Sequence, residues 1–186
     1  RYGNQRKGNI QTIKNLCIEA NIFFEEVGLI NNTTSNSKVS SSQIRQFIKD
    51  GDIHLANEVL VYNFSVSNTV VKGDQRGRTI GTPTANIEYP KDLIAPPYGV
   101  YAVEVKILEK IYSGIANFGM RPTFNKNSPI LEAHIFDFDE DIYDDEIEVI
   151  FHSKIRDEKK FDGIKELLNQ ISLDITVAKQ KLQYGN

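Results

Sequence analysis

Thr84 and Asn86, two residues apart, close a stretch that packs three glycines and two arginines, Gly73-Asp-Gln-Arg-Gly-Arg-Thr-Ile-Gly-Thr-Pro-Thr-Ala-Asn86. Glycines let a backbone bend closely round an anion and offer it N–H groups, while Arg76 and Arg78 add positive charge. In an extended segment, residues two apart point to one face. Thr84 and Asn86 would then offer a hydroxyl and an amide oxygen to one hard cation. A phosphate cradle beside an oxygen-rich metal corner is what nucleotide-dependent phosphoryl transfer requires. A solvated Gly/Arg-rich turn accounts for the same composition without chemistry. Neither a Walker A Gly-Lys-Ser/Thr nor a Gly-x-Gly-x-x-Gly follows at the right spacing, which excludes the two commonest phosphate motifs.

Other polar residues have plain readings when taken singly. In Leu131-Glu-Ala-His-Ile-Phe-Asp-Phe-Asp139, the apolar Leu131, Ala133 and Ile135 alternate with Glu132 and His134. That is the pattern of a half-buried strand, on which a lone carboxylate is ordinarily solvated. One histidine without a partner at ligand spacing does not make a zinc site. Asp137 to Glu148 is acidic with no Lys or Arg and reads as a solvated face rather than a second metal site. Arg156, Lys159 and Lys160 fit a helix terminus or surface ion pairs. Arg121-Pro122 fits a fixed turn. Ser41, Ser42 and Arg45 fit the start of a capped helix.

These residues need a frame. Ile10, Ile13, Leu16 and Cys17 recur at helical spacing, Ile22–Ile30 is a short strand candidate, and 31–38 is a polar loop. A second helix is predicted from Ser42, as N-cap, through Ile44, Phe47 and Ile48 to Gly51, with a shorter one over Ile53–Leu60. Residues 1–60 thus read as an αβα tail, as if cut from the end of an α/β domain. From residue 61 the pattern turns to strands: Phe64–Lys72, Thr84–Ile87, Gly99–Ile107, Ile111–Phe118, Ile130–Phe138 and Glu146–His152. Such spacing predicts a small antiparallel barrel over 61–186. Phe161, Ile164, Leu167, Leu168, Ile171, Ile175, Ala178 and Leu182 trace one face of a long final helix that would cover it. The expected class is α+β.

Composition narrows the partners. A chain of 186 residues with 40% hydrophobic and 25% charged content has the make-up of a globular protein with a sizeable core. A net charge of -3 argues against nucleic acid as partner, and so against a barrel that binds single strands. No apolar run reaches membrane-span length. The single Cys17 excludes an intrachain disulfide and fits a reducing cytoplasm. Position 1 is Arg and the one methionine is Met120, so the chain reads as an internal fragment.

Four blocks in order, spanning residue 61 to the C-terminus, resemble the riboflavin kinase family. They are the Pro-Thr-Ala-Asn block with its Gly/Arg loop, Asn117-Phe-Gly-Met-Arg-Pro-Thr-Phe124, Leu131-Glu-Ala-His134 and Ile155-Arg-Asp-Glu-Lys-Lys-Phe-Asp162. The resemblance implies a Greek-key barrel with a long C-terminal helix that phosphorylates riboflavin to FMN with ATP and Mg²⁺. It implies that Glu132 is the catalytic carboxylate and that Thr84 and Asn86 hold the metal. ATP would meet Gly73, Arg78, Thr79, Gly81 and Thr84, with Asp137 and Tyr143 near its base and sugar. Arg156, Lys159 and Phe161 would border the flavin. One position departs from the family: an aromatic residue usually precedes the Pro-Thr-Ala-Asn block, where this chain has Thr82. Losing a buried ring would remove apolar contact worth about 1–2 kcal/mol from packing around the nucleotide loop. The competing reading is a barrel that binds flavin or nucleotide without catalysis.

The opening Arg1-Tyr-Gly-Asn-Gln-Arg-Lys-Gly8 and Val39-Ser-Ser-Ser-Gln-Ile-Arg45 resemble two stretches of bacterial FAD synthetase, a Rossmann-like nucleotidyltransferase. That resemblance implies that Ser41, Ser42 and Arg45 match a phosphate site at a helix N-terminus. It also implies a bifunctional parent, a riboflavin kinase and FMN adenylyltransferase, with 1–60 the end of the transferase half. The His-x-Gly-His motif of that half is absent from the sequence. The expected outcome is that this chain forms FMN but not FAD. Chromatography of the products from riboflavin and ATP checks it, and FAD from the pure chain would overturn it.

Overall fold

The computed structural model describes residues 3, 5, 7–26, 40–60, 62–73, 77, 81–120 and 129–183. The chain divides into two compact units, 1–39 and 40–186. In the first, helix α1 (Ile10–Glu19) starts at Asn9, whose side chain accepts from the Thr12 N–H at 2.9 Å while the Thr12 hydroxyl accepts from the Asn9 N–H at 3.3 Å. This reciprocal capping satisfies two N–H groups that the helix cannot. Residues 22–26, half of an expected strand, form no regular structure. A lone strand leaves its backbone groups unpaired, and no partner strand lies among the described residues of this unit. The other half, 27–30, lies outside the described residues.

The second unit opens with α2 (Ser41–Asp50) and α3 (Ile53–Val59). Ser40, not Ser42, caps α2: it is extended and its hydroxyl accepts from the Gln43 N–H at 3.2 Å. Ser40-x-x-Gln43 carries the capping-box pattern, whereas three residues after Ser42 stands Arg45. The stop falls at Gly51 as expected. Its φ of 84° lets Gly51 and Asp52 N–H reach the carbonyls of Ile48 and Phe47. Ile48, Ile53 and Ala56 are buried in the barrel core. These helices, grouped by sequence with the leading segment, therefore pack against the strands. Asn57 fastens them, donating to the Phe151 carbonyl and accepting from the Phe64 N–H, both at 2.8 Å.

Six antiparallel strands follow: β1 (Ser65–Val71), β2 (Ala85–Glu88), β3 (Gly99–Ile107), β4 (Lys110–Met120), β5 (Pro129–Ile135) and β6 (Glu146–Arg156). They close a barrel in the order β1-β2-β5-β4-β3-β6. β3, β4 and β5 are successive neighbours and β6 returns beside β3, which is a Greek key. Closure leaves no strand edge exposed. Val66, Val70, Ile87, Tyr101, Val103, Val105, Phe118, Leu131, Val149 and Phe151 fill the interior.

Helix α4 (Ile164–Gln183) covers the outside. Its Ala178 and Leu182, with Ile171 and Ile175, pack on Val100, Ala102 and Ile115. β3 is consequently buried on both faces. The apolar stripe does not engage over its whole length: the helix begins at Ile164, which is exposed, not at Phe161. β6 also runs past His152 to Arg156, with pairing irregularities between Val100 and Tyr101 and between Ala102 and Val103. Each gives β6 an extra residue, and the one at Ile155 sets Arg156 opposite Val100, on the face that α4 covers.

Two buried tyrosines hold the β2–β3 connection. Tyr89 donates to the Ile94 carbonyl at 2.6 Å and Tyr101 to the Pro97 carbonyl. Burial raises both phenols well above their ordinary value near 10, helped at Tyr89 by Tyr101 and at Tyr101 by Asp157. Above pH 10 the unfolded chain therefore loses protons that the folded chain keeps, so stability is full below pH 10 and falls as pH rises. We predict a loss of about 1.4 kcal/mol per pH unit for each tyrosine in that range. Denaturant unfolding between pH 9 and 11 should show it, with a shallower fall in a Tyr89→Phe/Tyr101→Phe variant. Equal slopes would refute it.

Candidate active site

Two cavities flank the entrance to β2. One, of about 260 Å³, is bounded by Gly73, Pro83, Thr84, Asn86, Phe138 and the run Asp139 to Tyr143. The other, of about 310 Å³, is bounded by Gly77, Thr82, Thr84, Asn117, Glu132, His134, Arg156, Lys159, Phe161 and Asp174, among others. Thr84 borders both.

Local geometry explains this placement. Thr84 immediately precedes β2, and Asn86 is its second residue. The Asn86 Nδ2 donates to the Thr84 carbonyl at 3.2 Å and lies 3.5 Å from its hydroxyl. The two side chains lie together, but the amide turns its nitrogen toward Thr84, not the oxygen expected beside the hydroxyl. Asn86 is buried, and Gly73 lies so close that a Cβ there would stand 2.6 Å from its side chain. A side chain at 73 would displace the amide, which gives that glycine a steric reason. Antiparallel pairing sets Asn86 opposite Glu132 on β5, and Glu132 opposite Asn117 on β4. The alternation on β5 holds: Leu131, Ala133 and Ile135 are buried, while Glu132 and His134 border the second cavity.

The far end of that cavity is electrostatic. Arg156 donates from Nε and Nη2 to the Asp174 carboxylate at 2.8–3.1 Å and from Nη1 to the Asp157 carbonyl. Gln170 also donates to Asp174, which is 2% exposed. The Phe161 ring has Arg156 at 5.7 Å and Lys159 at 5.3 Å from its centroid, both within cation–π range. Lys159 pairs with Glu166 at 2.9 Å, and that bond, with the Asp162 N–H, holds the Glu166 carboxyl below its ordinary range. Asp157 is likewise lowered by Lys154.

Of the residues singled out from sequence, Gly73, Thr84, Asn86 and Tyr143 meet at the first cavity, and Glu132, Arg156, Lys159 and Phe161 at the second. Gly81 borders neither; with φ 78° and open space around it, it serves the turn. Asp137 is exposed just before the lining run begins at Phe138. Thr82 borders the second cavity rather than the first. Ser41, Ser42 and Arg45 are exposed on the first turns of α2. Arg76, Arg78, Thr79, Arg121 and Pro122 lie outside the described residues. The acidic run is exposed at Asp139 to Asp141, as a solvated face would be, and these three residues also border the first cavity. Among the described residues, no three His, Cys, Asp or Glu gather as a metal site, and no helix is long and apolar enough to cross a membrane. Sequence reasoning missed Asn117 and Asp174. A carboxylate between Ile171 and Ile175 on a covering face was the available signal for Asp174, because a buried charge needs a partner.

The profile of a family described as flavokinase, riboflavin kinase, matches residues 60–182. A bifunctional riboflavin kinase/FMN adenylyltransferase of Bacillus subtilis is 42% identical over 145 residues, 76% of this chain and 46% of that protein. Its counterpart in Listeria monocytogenes is 36% identical over 174 residues, 93% of this chain and 54% of the relative. The chain thus spans about half the length of the curated relatives it matches. A crystal structure described as a macrolide-efflux protein from Streptococcus pneumoniae superposes with a TM-score of 0.80 at 33% identity, covering 96% of this chain and 57% of that one.

Asp174 should matter to stability out of proportion to its size. Asp174→Ala strands the partly buried Arg156 guanidinium, and removing one member of such a pair costs about 3–5 kcal/mol. Urea unfolding measures this, and a loss below about 1 kcal/mol, the range of an exposed pair, would show that water replaces the carboxylate freely.

Proposed function

This chain belongs to the riboflavin kinase family, and from that premise we propose that it transfers the γ-phosphoryl group of ATP to the ribityl 5′-hydroxyl of riboflavin, giving FMN and ADP. The observation that carries this reading is the pair of cavities meeting at Thr84, with Asn86 and Glu132 opposite one another across β2 and β5.

Charge assigns the cavities. Asp139, Glu140 and Asp141 would repel a triphosphate, so its phosphates belong at the Gly73, Thr84 and Asn86 end. The acidic end suits the hydroxyls of ribose and the amino group of adenine, both hydrogen-bond donors. Tyr143 closes that end, and Asp137 stands just outside it. The second cavity joins apolar Val100, Ile115, Phe161, Leu167 and Ile171 to Arg156 and Lys159, an environment for a flat, partly polar flavin.

The Thr84 hydroxyl and the Asn86 amide oxygen suit Mg²⁺, which prefers hard neutral or anionic oxygen and takes few protein ligands beside substrate phosphates. The Asn86 nitrogen already donates to the Thr84 carbonyl, and Gly73, lacking a side chain, lies against the amide without displacing it. A bound Mg²⁺ would neutralise charge on the transferring phosphoryl group. Glu132, beside Thr84 in the second cavity, would accept the proton of the attacking hydroxyl. Arg156, held by Asp174, and Phe161 would orient the flavin so that its ribityl chain points to Glu132.

The relatives' second activity extends the reading to a longer parent. Residues 1–60 would be the end of an FMN adenylyltransferase half, with Ser41, Ser42 and Arg45 near its phosphate site, and the cytoplasm the expected place of action.

FMN formation from riboflavin and Mg·ATP tests the proposal. Tight flavin binding with no FMN would favour a non-catalytic barrel. Glu132→Gln keeps shape but cannot take the proton, and is expected to lower kcat by about 10²–10⁴-fold with little change in unfolding temperature. Near-normal turnover at saturating substrates would return Glu132 to a plain strand position.

A further inference from the structure

We propose that His134 is a positioning residue that extends the β2–β5 pairing by a side-chain hydrogen bond and so holds Thr84 between the two cavities. The proposal rests on the kinase reading for the identity of the nucleotide cavity.

The backbone ladder between β2 and β5 ends at Ala85 opposite Ala133. One further step of this register would set Thr84 opposite His134. The next residue along is Pro83, which has no N–H to donate, and the three residues 82–84 lie outside any strand. Their polar groups are met otherwise. The Thr82 N–H donates to the Gly77 carbonyl at 2.8 Å, and the Thr84 carbonyl accepts from the Asn86 amide. The Pro83 carbonyl lies 2.8 Å from Nδ1 of His134, 51 residues away in sequence. A carbonyl only accepts, so Nδ1 carries the proton and donates. The ring is braced by an edge-on contact with Phe136, centroids 5.9 Å apart, and Phe136 is itself buried under α4.

This bond differs in kind from the other two. The Thr82 and Thr84 bonds are local, joining residues five and two positions apart, whereas His134 ties the segment to the strand that carries Glu132. Pro83 borders the first cavity, His134 the second, and Thr84 both. Beyond the Ala85–Ala133 pair, this is the bond that ties the described 82–84 segment to a side chain of β5 through a backbone group. Without it, Thr84 would keep its local bond to Asn86 but would be held less firmly relative to β5 and Glu132. The expected consequence is weaker nucleotide binding.

Three variants separate this role from general support. In His134→Asn the side-chain nitrogen falls near the position of Nδ1 and can still donate to Pro83. His134→Gln places its amide near the position of Nε2 instead, and His134→Ala has neither. Mg·ADP binding by calorimetry should weaken about tenfold in the Ala and Gln variants, the effect of one hydrogen bond, and stay within about threefold in the Asn variant. The KM for Mg·ATP should rise in parallel in the Ala and Gln variants and stay near normal in the Asn variant. Unaltered Mg·ADP binding in a folded His134→Ala protein would overturn the proposal. So would an Asn variant no better than Gln, a comparison that stands even if the Ala variant does not fold. FMN formation by the unaltered chain reads the kinase assignment separately: Mg·ADP binding with the expected variant order but no FMN would sink that assignment and leave His134 in place.

Discussion

The pairing of β2 with β5 is the constraint on which the site depends. β2 has four residues, and all four pair with β5, whereas β1 meets it at two positions. That short ladder sets Asn86 opposite Glu132, two residues from distant parts of the sequence, and β4 adds Asn117 on the other side of Glu132. A shift of one residue would turn Glu132 inward and Leu131 out of the core. The hydrophobic filling of the barrel therefore guards the register of the polar row: Ile87, Leu131 and Ala133 are each at most 1% exposed. Stability and chemistry here rest on one alignment.

Backbone close approaches complete the arrangement. Gly73 comes against the Asn86 amide, and a Cβ on Gly77 would stand 2.2 Å from the Thr82 carbonyl. Each glycine lets a loop pass where a side chain would force it away, one on each side of Thr84. In the second cavity, the extra residue at Ile155 places Arg156 under α4, where Asp174, itself held by Gln170, receives it. A buried ion pair of this kind adds little net stability, because desolvation offsets most of the attraction. Its value lies in geometry, since a guanidinium with its donors engaged on one carboxylate cannot swing away from Phe161.

Much of the frame was legible without coordinates. Six strand segments and a long final helix follow from period, turn residues and apolar spacing, which are local properties. The shared face of Thr84 and Asn86 follows from pleating alone, as does the alternation about Glu132. Errors clustered where several local solutions compete or a partner decides. Three consecutive serines each suit a cap, and the glutamine three residues after Ser40 selects among them. The apolar residues after Ile22 suit a strand but have no described strand to pair with. Ile164 continues the helical stripe, yet the barrel surface does not reach it.

What the sequence by itself determined is the set of elements and the chemistry available on each, because propensity, pleat and capping act over a few residues. What only the tertiary structure decided is which of those groups meet. The meeting of Thr84 with two separate cavities, the partnership of Arg156 with Asp174, and the reach of His134 to Pro83 are long-range pairings. No local pattern encodes them. They arise when barrel closure fixes the register of strands that turn chemistry alone leaves free to slide.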